Sequence, residues 1–258
     1  MAKQRVVGIV QARMGSTRLS AKVLKSLRGK PMLVRQLERL KQAAMLDSLI
    51  VATTDCAEDT AIAELAKSVG VQAFRGSEKD VLDRYYKAAQ EMNADVVVRV
   101  TGDCPLHDAE VIHTVIKRFQ ERHVEYTKTP ENFPEGLDTE VFSFSTLETA
   151  WRNAKLPSER EHVTPYIRNH PELFKLDEKW TEGTFDYSTY HWSVDTEADF
   201  KFVEKVYENF GEREFHMRDV IELLQEQPEF LQINKGGTGY EGLAKSQQED
   251  AEWQKHHG

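Results

Sequence analysis

Apolar residues in the first half of the chain follow two alternating patterns. Continuous runs, VVGIV at residues 6–10, LIVA at 49–52 and DVVVRV at 95–100, read as strands buried on both faces. A further short strand is expected at 71–74. Between them, apolar positions recur at helical spacing. Residues 31–45 align Leu33, Leu37, Leu40 and Ala44, and Pro31 suits a first helical turn. Residues 57–69, 81–92 and 108–120 repeat that periodicity, with Gly70 where a helix would be capped. Such alternation predicts βαβ units and a parallel sheet covered on both faces. Ligands of these sheets bind beyond the C-terminal ends of the strands. The loops at Gln11, Thr53 and Thr101 should therefore converge on one site.

The second half is less regular. Strands are expected at 140–144 and 191–194, and helices at 146–154, 161–169, 197–210 and 217–225. From residue 234 the chain turns to glycine and charge. The pattern gives one domain at residues 1–233 and a loosely packed tail at 234–258, with no internal repeat.

The length, 258 residues, suits one large α/β domain or two small ones. Lys plus Arg total 34 against 43 Asp plus Glu, a formal charge of −9. That balance argues against general binding to nucleic acid or anionic lipid, which need a cationic face. Two cysteines, Cys56 and Cys104, point to a reducing compartment. The N-terminal apolar run is too short for a signal-peptide core, and no stretch approaches a membrane span. A cytoplasmic location is expected.

Four regions could carry chemistry. The loop after the first strand gathers Arg13, Arg18 and Lys22 around Gly15, Ser16 and Thr17. Small residues let backbone N–H groups approach an anion, and three neighbouring cations need a polyanion such as a triphosphate or solvent to neutralise them. A solvated basic loop is the alternative. The pattern is neither GxxxxGK[ST] nor GxGxxG. Next, Asp103 in TGDCPL follows the strand DVVVRV, placed either to hold a hard cation such as Mg²⁺ or to cap the following helix. Asp195 in SVDTEAD offers a second carboxylate or a helix cap. Finally, PEGLDTE at 134–140 and REHVT at 160–164 are rich in groups that could read sugar hydroxyls, or that form surface salt bridges. The aromatic cluster at 185–192 is either a stacking wall or core. No CxxC or GxSxG pattern is present.

The run IVQARMGSTRLSAKVL resembles the opening motif of the CMP-sugar-acid synthetase superfamily, which includes the acylneuraminate and KDO cytidylyltransferases. RGSEKDVLDRYYKAA, VVRVTGDCPLHD, GLDTEVFS, EREHVTPYI and WSVDTEADF follow in the expected order, and together they are closest to the spore coat polysaccharide SpsF branch. The resemblance implies a glycosyltransferase-A-like, Rossmann-type three-layer α/β/α fold with a mostly parallel mixed sheet. It implies transfer of CMP from CTP to a sugar or sugar-acid acceptor with Mg²⁺, in glycan precursor synthesis. On that basis Arg13, Gly15, Ser16, Arg18 and Lys22 bind the triphosphate, and Arg13, Lys22 and Asp103 are catalytic. Val10, Gln11, Ala12, Thr53, Thr54, Arg75 and Thr101 frame the nucleoside. Asp103 and Asp195 hold the metal, and Asp138, Glu140, Arg160, Glu161 and His162 face the acceptor. The resembling families commonly form dimers. Nucleic acid and membrane are not expected partners.

The resembling families carry Pro-Gly where this chain has Ser20-Ala21. Alanine tolerates a tight turn less well than glycine, which predicts a loop that sits differently or binds more weakly. Two other readings follow from the same residues: a nucleotide-sugar glycosyltransferase on this fold, and a non-catalytic nucleotide sensor. A glycosyltransferase usually brings a DxD-like acidic pair to its metal, and only Asp103 stands after the strand.

Overall fold

The computed structural model describes residues 3–16, 18–235, 246 and 249–255; Thr17 and most of the expected tail lie outside them. The chain opens with β1 (Val6–Gln11), forms a small hairpin from β2 (Ser26–Leu27) and β3 (Lys30–Pro31), and enters α1 (Met32–Leu40). β4 (Ser48–Thr54), α2 (Thr60–Ser68), β5 (Gln72–Gly76), α3 (Val81–Glu91), β6 (Val96–Thr101) and α4 (Ala109–Arg122) then alternate. β7 (Tyr126–Lys128) and β8 (Glu140–Ser143) precede α5 (Phe144–Asn153), α6 (Pro157–His162) and α7 (Pro165–Asn169). β9 (Leu176–Asp177), α8 (Glu197–Phe210) and α9 (Met217–Glu226) follow.

Seven strands form one sheet in the order β5-β4-β1-β6-β8-β7-β9. β5, β4, β1 and β6 run parallel, whereas β8 pairs antiparallel to β6. The mostly parallel mixed sheet with helices on both faces is the architecture expected from the sequence. Strand alternation divides the core. Val6 and Val10 of β1 join Val96, Val98 and Val100 of β6 on the face covered by α1, α4, α8 and α9. Val7, Ile9 and Val97 point to the opposite face, against α3, α5 and α7. No helix among the described residues is long and apolar enough to cross a membrane.

Several boundaries differ from the sequence reading. The helix expected at 31–45 ends at Leu40, and Pro31 lies in β3. The helix expected at 161–169 is two helices. Val163 sits at φ 72 between them, and Pro165, which has no N–H to continue a helix, starts the second. The strand expected at 191–194 is a single bridge between Glu135 and His191. At 57–69 the first turn is a 3₁₀ turn, Ala57–Asp59. In the segment expected to be loose, Ser246 is buried and Asp250 accepts from the Ser158 backbone at 2.9 Å, so the described part of the tail packs on α6.

Ala21 adopts the left-handed region, φ 52 and ψ 27, at the entry to the 3₁₀ turn Lys22–Leu24. The turn is thus made without glycine, at the steric cost a Cβ imposes there. Ala21→Gly should raise stability by about 0.5–1 kcal/mol, the steric relief less the added chain entropy. Chemical denaturation of the two proteins measures it; an unchanged or lower midpoint would refute the strain.

Candidate functional site

Two glycines let the loops beyond the sheet meet. Gly102 donates its N–H to the Gln11 carbonyl at 2.7 Å, and a Cβ there would stand 2.8 Å from that oxygen. Gly136, at φ +96, lies under the 192–193 backbone, where a Cβ would come within 2.5 Å of the Ser193 nitrogen. The Val194 N–H donates to the Asp103 carbonyl at 2.8 Å. The end of β6 and the segment before α8 are therefore bound to each other directly.

Lys22 closes this junction. Its Nζ donates to Asp103 Oδ2 at 3.0 Å, Asp195 Oδ1 at 3.0 Å and the Val194 carbonyl at 2.7 Å. Arg18 reaches the same Asp195 oxygen at 2.9 Å. Burial alone would lower the Lys22 pKa, but Asp103 and Asp195 outweigh it and raise it, so the amine is an ammonium. Burial likewise pushes Asp103 up, yet Lys22 and the Thr101 hydroxyl bring it down to about 2. Neither aspartate is a helix cap. Asp108 caps α4, and Thr196 caps α8 with Asp199 completing its capping box. The sequence brought Arg18, Lys22, Asp103 and Asp195 together as candidates, and the structure joins them. Two carboxylates around one cation make an anionic oxygen donor set that fits a hard divalent ion.

The rest of the first loop is anchored from beneath. The buried Asp59 accepts from the Met14 N–H at 2.7 Å and from the Thr54 hydroxyl. Arg75 turns back to donate to the Thr54 carbonyl at 3.0 Å and the Cys56 carbonyl at 2.7 Å. Ser16 Oγ accepts from the Leu19 N–H at 3.4 Å. Arg13 makes a long contact, 3.7 Å to Glu78, between two half-exposed side chains. Gln11 Oε1 and Thr53 Oγ1 are buried without a hydrogen-bond partner among the described residues. Val10 and Ala12 are buried in the core, and Gly15 has room for a Cβ.

The residues expected to face an acceptor separate. Asp138 is exposed; its Oδ2 accepts from the Gly136 N–H at 2.9 Å. Its carboxyl is raised by the protein atoms crowding it and by the charges of Glu135 and Glu140, with the Gly136 N–H opposing. Glu140 pairs with Arg99 and accepts from the Tyr126 and Thr164 hydroxyls. Arg160 instead grips Asp80, the cap of α3, and the Trp151 carbonyl, so its donors are engaged in holding α6 to α3 and α5. His162 and Glu161 both meet Ser246, at 2.9 and 3.0 Å, and burial lowers His162. In the aromatic cluster, Trp192 is core while Phe185, Tyr187 and Tyr190 stack at its margin.

Two supports were not singled out in the sequence. Buried His107 is held below the usual imidazole range by desolvation and is neutral. Its Nε2 lies 3.1 Å from the Asp138 carbonyl, and its Nδ1 lies 2.9 Å from the Cys104 carbonyl and 3.1 Å from Gln36 Nε2. Gln36 also donates to the Thr101 carbonyl at 2.7 Å, tying α1 to both loops. His191 lies between Glu135, 2.6 Å from Nδ1, and Asp199, 3.6 Å from Nε2 and thus beyond hydrogen-bond reach. Asp199 and Glu135 raise His191 to about 10. This ion triad fixes the chain four residues before Asp195. Only the motif HWSVD hinted at it.

A sequence model described as cytidylyltransferase matches residues 7–245. The chain is similar to an uncharacterized protein of Methanocaldococcus jannaschii, 43% identical over 89% of this chain and 94% of that protein. It is also similar to the spore coat polysaccharide biosynthesis protein SpsF of Bacillus subtilis, 34% identical over 87% of this chain and 95% of that protein. A solved cytidylyltransferase from Leptospira borgpetersenii serovar Hardjo-bovis superposes with TM-score 0.85 at 35% identity, covering 92% of this chain and 100% of that one. CMP:2-keto-3-deoxy-manno-octonic acid synthetase complexed with CTP shares the fold, with TM-score 0.60 at 17% identity, over 80% of this chain and 99% of that one.

The His191 triad makes stability depend on pH. The folded pKa, about 10, exceeds the ordinary 6.5, so the contribution is complete below about 6.5 and fades as pH rises towards 10. The wild type should lose on the order of 2 kcal/mol across that window relative to His191→Gln. Denaturation midpoints at several pH values test this; parallel profiles for the two proteins would rule it out.

Proposed function

The chain belongs to the cytidylyltransferase family of nucleotidyltransferases, and from that premise we propose that it transfers CMP from CTP to a sugar or sugar-acid acceptor in polysaccharide precursor synthesis. The observation that carries this reading is the convergence of Lys22 on Asp103 and Asp195 at the C-terminal edge of the parallel strands. A hydroxyl of the acceptor attacks the α-phosphorus of CTP, the new P–O bond forms, and the bond to pyrophosphate breaks. The protein's task is to position the two reactants and balance the charge that shifts towards the leaving group.

On this reading Lys22, Arg18 and the exposed Arg13 bind the triphosphate, with the 14–16 backbone beside them. Asp103 and Asp195 would hold Mg²⁺, which supplies further charge neutralisation on phosphate oxygens. The nucleoside lies along the ends of β1 and β4, where Gln11 Oε1 and Thr53 Oγ1 lack hydrogen-bond partners among the described residues. Arg75 contributes by shaping that wall, since its side chain folds back on Thr54 and Cys56. The acceptor enters from the Asp138 side, with Glu140 and His162 behind it. Arg160 and Glu161 then act by holding α6 in place. Similarity to a spore coat polysaccharide biosynthesis protein and to 3-deoxy-manno-octulosonate cytidylyltransferases supports a glycan destination and a sugar-acid class of acceptor.

Pyrophosphate release with CTP, Mg²⁺ and a panel of sugar and sugar-acid acceptors tests the reading. Lys22→Ala and Asp103→Ala should each lower turnover by about 10²-fold or more, the scale of one lost transition-state contact. Near-wild-type rates in both would remove the site assignment. Thermal stabilisation should be selective for CTP among the four ribonucleoside triphosphates, enlarge with Mg²⁺, and fall back to its metal-free size with a chelator in excess. Equal shifts with every triphosphate would leave the phosphate site standing and overturn the base.

A further inference from the structure

An ammonium has three N–H donors and no acceptor. All three Lys22 donors are engaged: Asp103 Oδ2, Asp195 Oδ1 and the Val194 carbonyl accept from Nζ. The residue is nearly buried, so no fourth partner reaches it without displacing one of these. As it stands, Lys22 cannot bind a phosphate oxygen. The same two carboxylates are the ones assigned above to a divalent ion. A cation placed on them would meet a second cation already there, in a poorly hydrated setting where like charges repel strongly.

From this geometry we infer that Lys22 and the divalent metal are alternative occupants of one site, so that the metal enters only when a triphosphate draws Lys22 away. The inference rests on the nucleotidyltransferase reading and adds an order to it. Without nucleotide, Lys22, with Arg18 also on Asp195, neutralises Asp103 and Asp195 and keeps the β6 loop and the segment before α8 joined. An arriving triphosphate offers Nζ a richer set of oxygens. Lys22 then gives up the carboxylates, and the triphosphate brings its own cation to replace it. Each half of the exchange leaves no buried charge uncompensated, which is the costly condition. Nucleotide and metal therefore bind cooperatively, because each is favoured by the state in which Lys22 has moved.

The full chain is titrated with MnCl₂ in the absence of nucleotide, following bound Mn²⁺ by electron paramagnetic resonance and calorimetry. Lys22→Met and Lys22→Gln remove the cation; Lys22→Arg keeps it. The neutral variants should bind Mn²⁺ alone at least about tenfold more tightly than the wild type, whereas Lys22→Arg should stay as weak as the wild type. Circular dichroism checks that each variant is folded, and either neutral variant suffices. Adding Asp103→Asn to the neutral variant should abolish the gain. A non-hydrolysable CTP analogue should tighten Mn²⁺ binding to the wild type by at least about tenfold. If the wild type binds Mn²⁺ alone as tightly as the folded neutral variants, the exchange is wrong. If Mn²⁺ binds none of the proteins even with the analogue, the metal assignment beneath it falls as well. Pyrophosphate release from CTP by the wild type, measured separately, shows which of the two has failed.

Discussion

One buried ammonium organises the working edge of this molecule. Lys22 comes from the loop after β1, Asp103 from the end of β6, and Asp195 from the segment entering α8. These segments are remote in sequence and would repel or desolvate one another unless their charges cancelled. Buried ion clusters often add little net stability, because dehydration offsets their attraction. Their value here is placement, since Lys22 is the ammonium that joins Asp103 and Asp195 across two remote segments. Around this point the remaining architecture is support. The Val194-to-Asp103 backbone bond, the His191 triad, and the Gln36–His107 pair each hold one of the converging segments in register.

The parallel half of the fold was legible because each strand carries its own signal. VVGIV, LIVA and VVVRV are continuous apolar runs, and burial on both faces leaves such a mark. β7 and β9 carry no comparable mark. They are three and two residues long and owe their existence to pairing with β8 and with each other. The helix expected at 161–169 failed for a local reason that was visible, Pro165. The strand expected at 191–194 failed for a tertiary one, since Glu135 bonds the backbone at Tyr190 and Trp192 while the Val194 N–H turns to the Asp103 carbonyl.

The site shows the same division. Arg18, Lys22 and Asp103 could be nominated because they follow predicted strands on the side where such sheets bind ligands. Asp195 could not be separated from a helix cap by spacing. The adjacent Thr196 takes that role, which releases the Asp195 carboxylate for Lys22. Arg160 illustrates the limit from the other side. Its charge suggested a ligand contact, but Asp80 lies close enough to claim it. His107 and His191 were invisible as supports because Asp138 and Glu135, which they tie down, lie 31 and 56 residues away in sequence.

The direction of β8 has a consequence of its own. It is the strand that reverses the sheet, running antiparallel to β6, so it starts at the edge where the parallel strands end. The chain from 129 to 139 is therefore delivered to the mouth of the site by the reversal, without a crossover helix. Such a connection can lengthen, shorten or change composition without shifting the register of β1, β4 and β6. On the proposed reading the parallel half handles phosphate and the reversed half meets the other reactant. A lineage built on this scaffold can exchange one vocabulary of acceptors for another while leaving its nucleotide chemistry untouched.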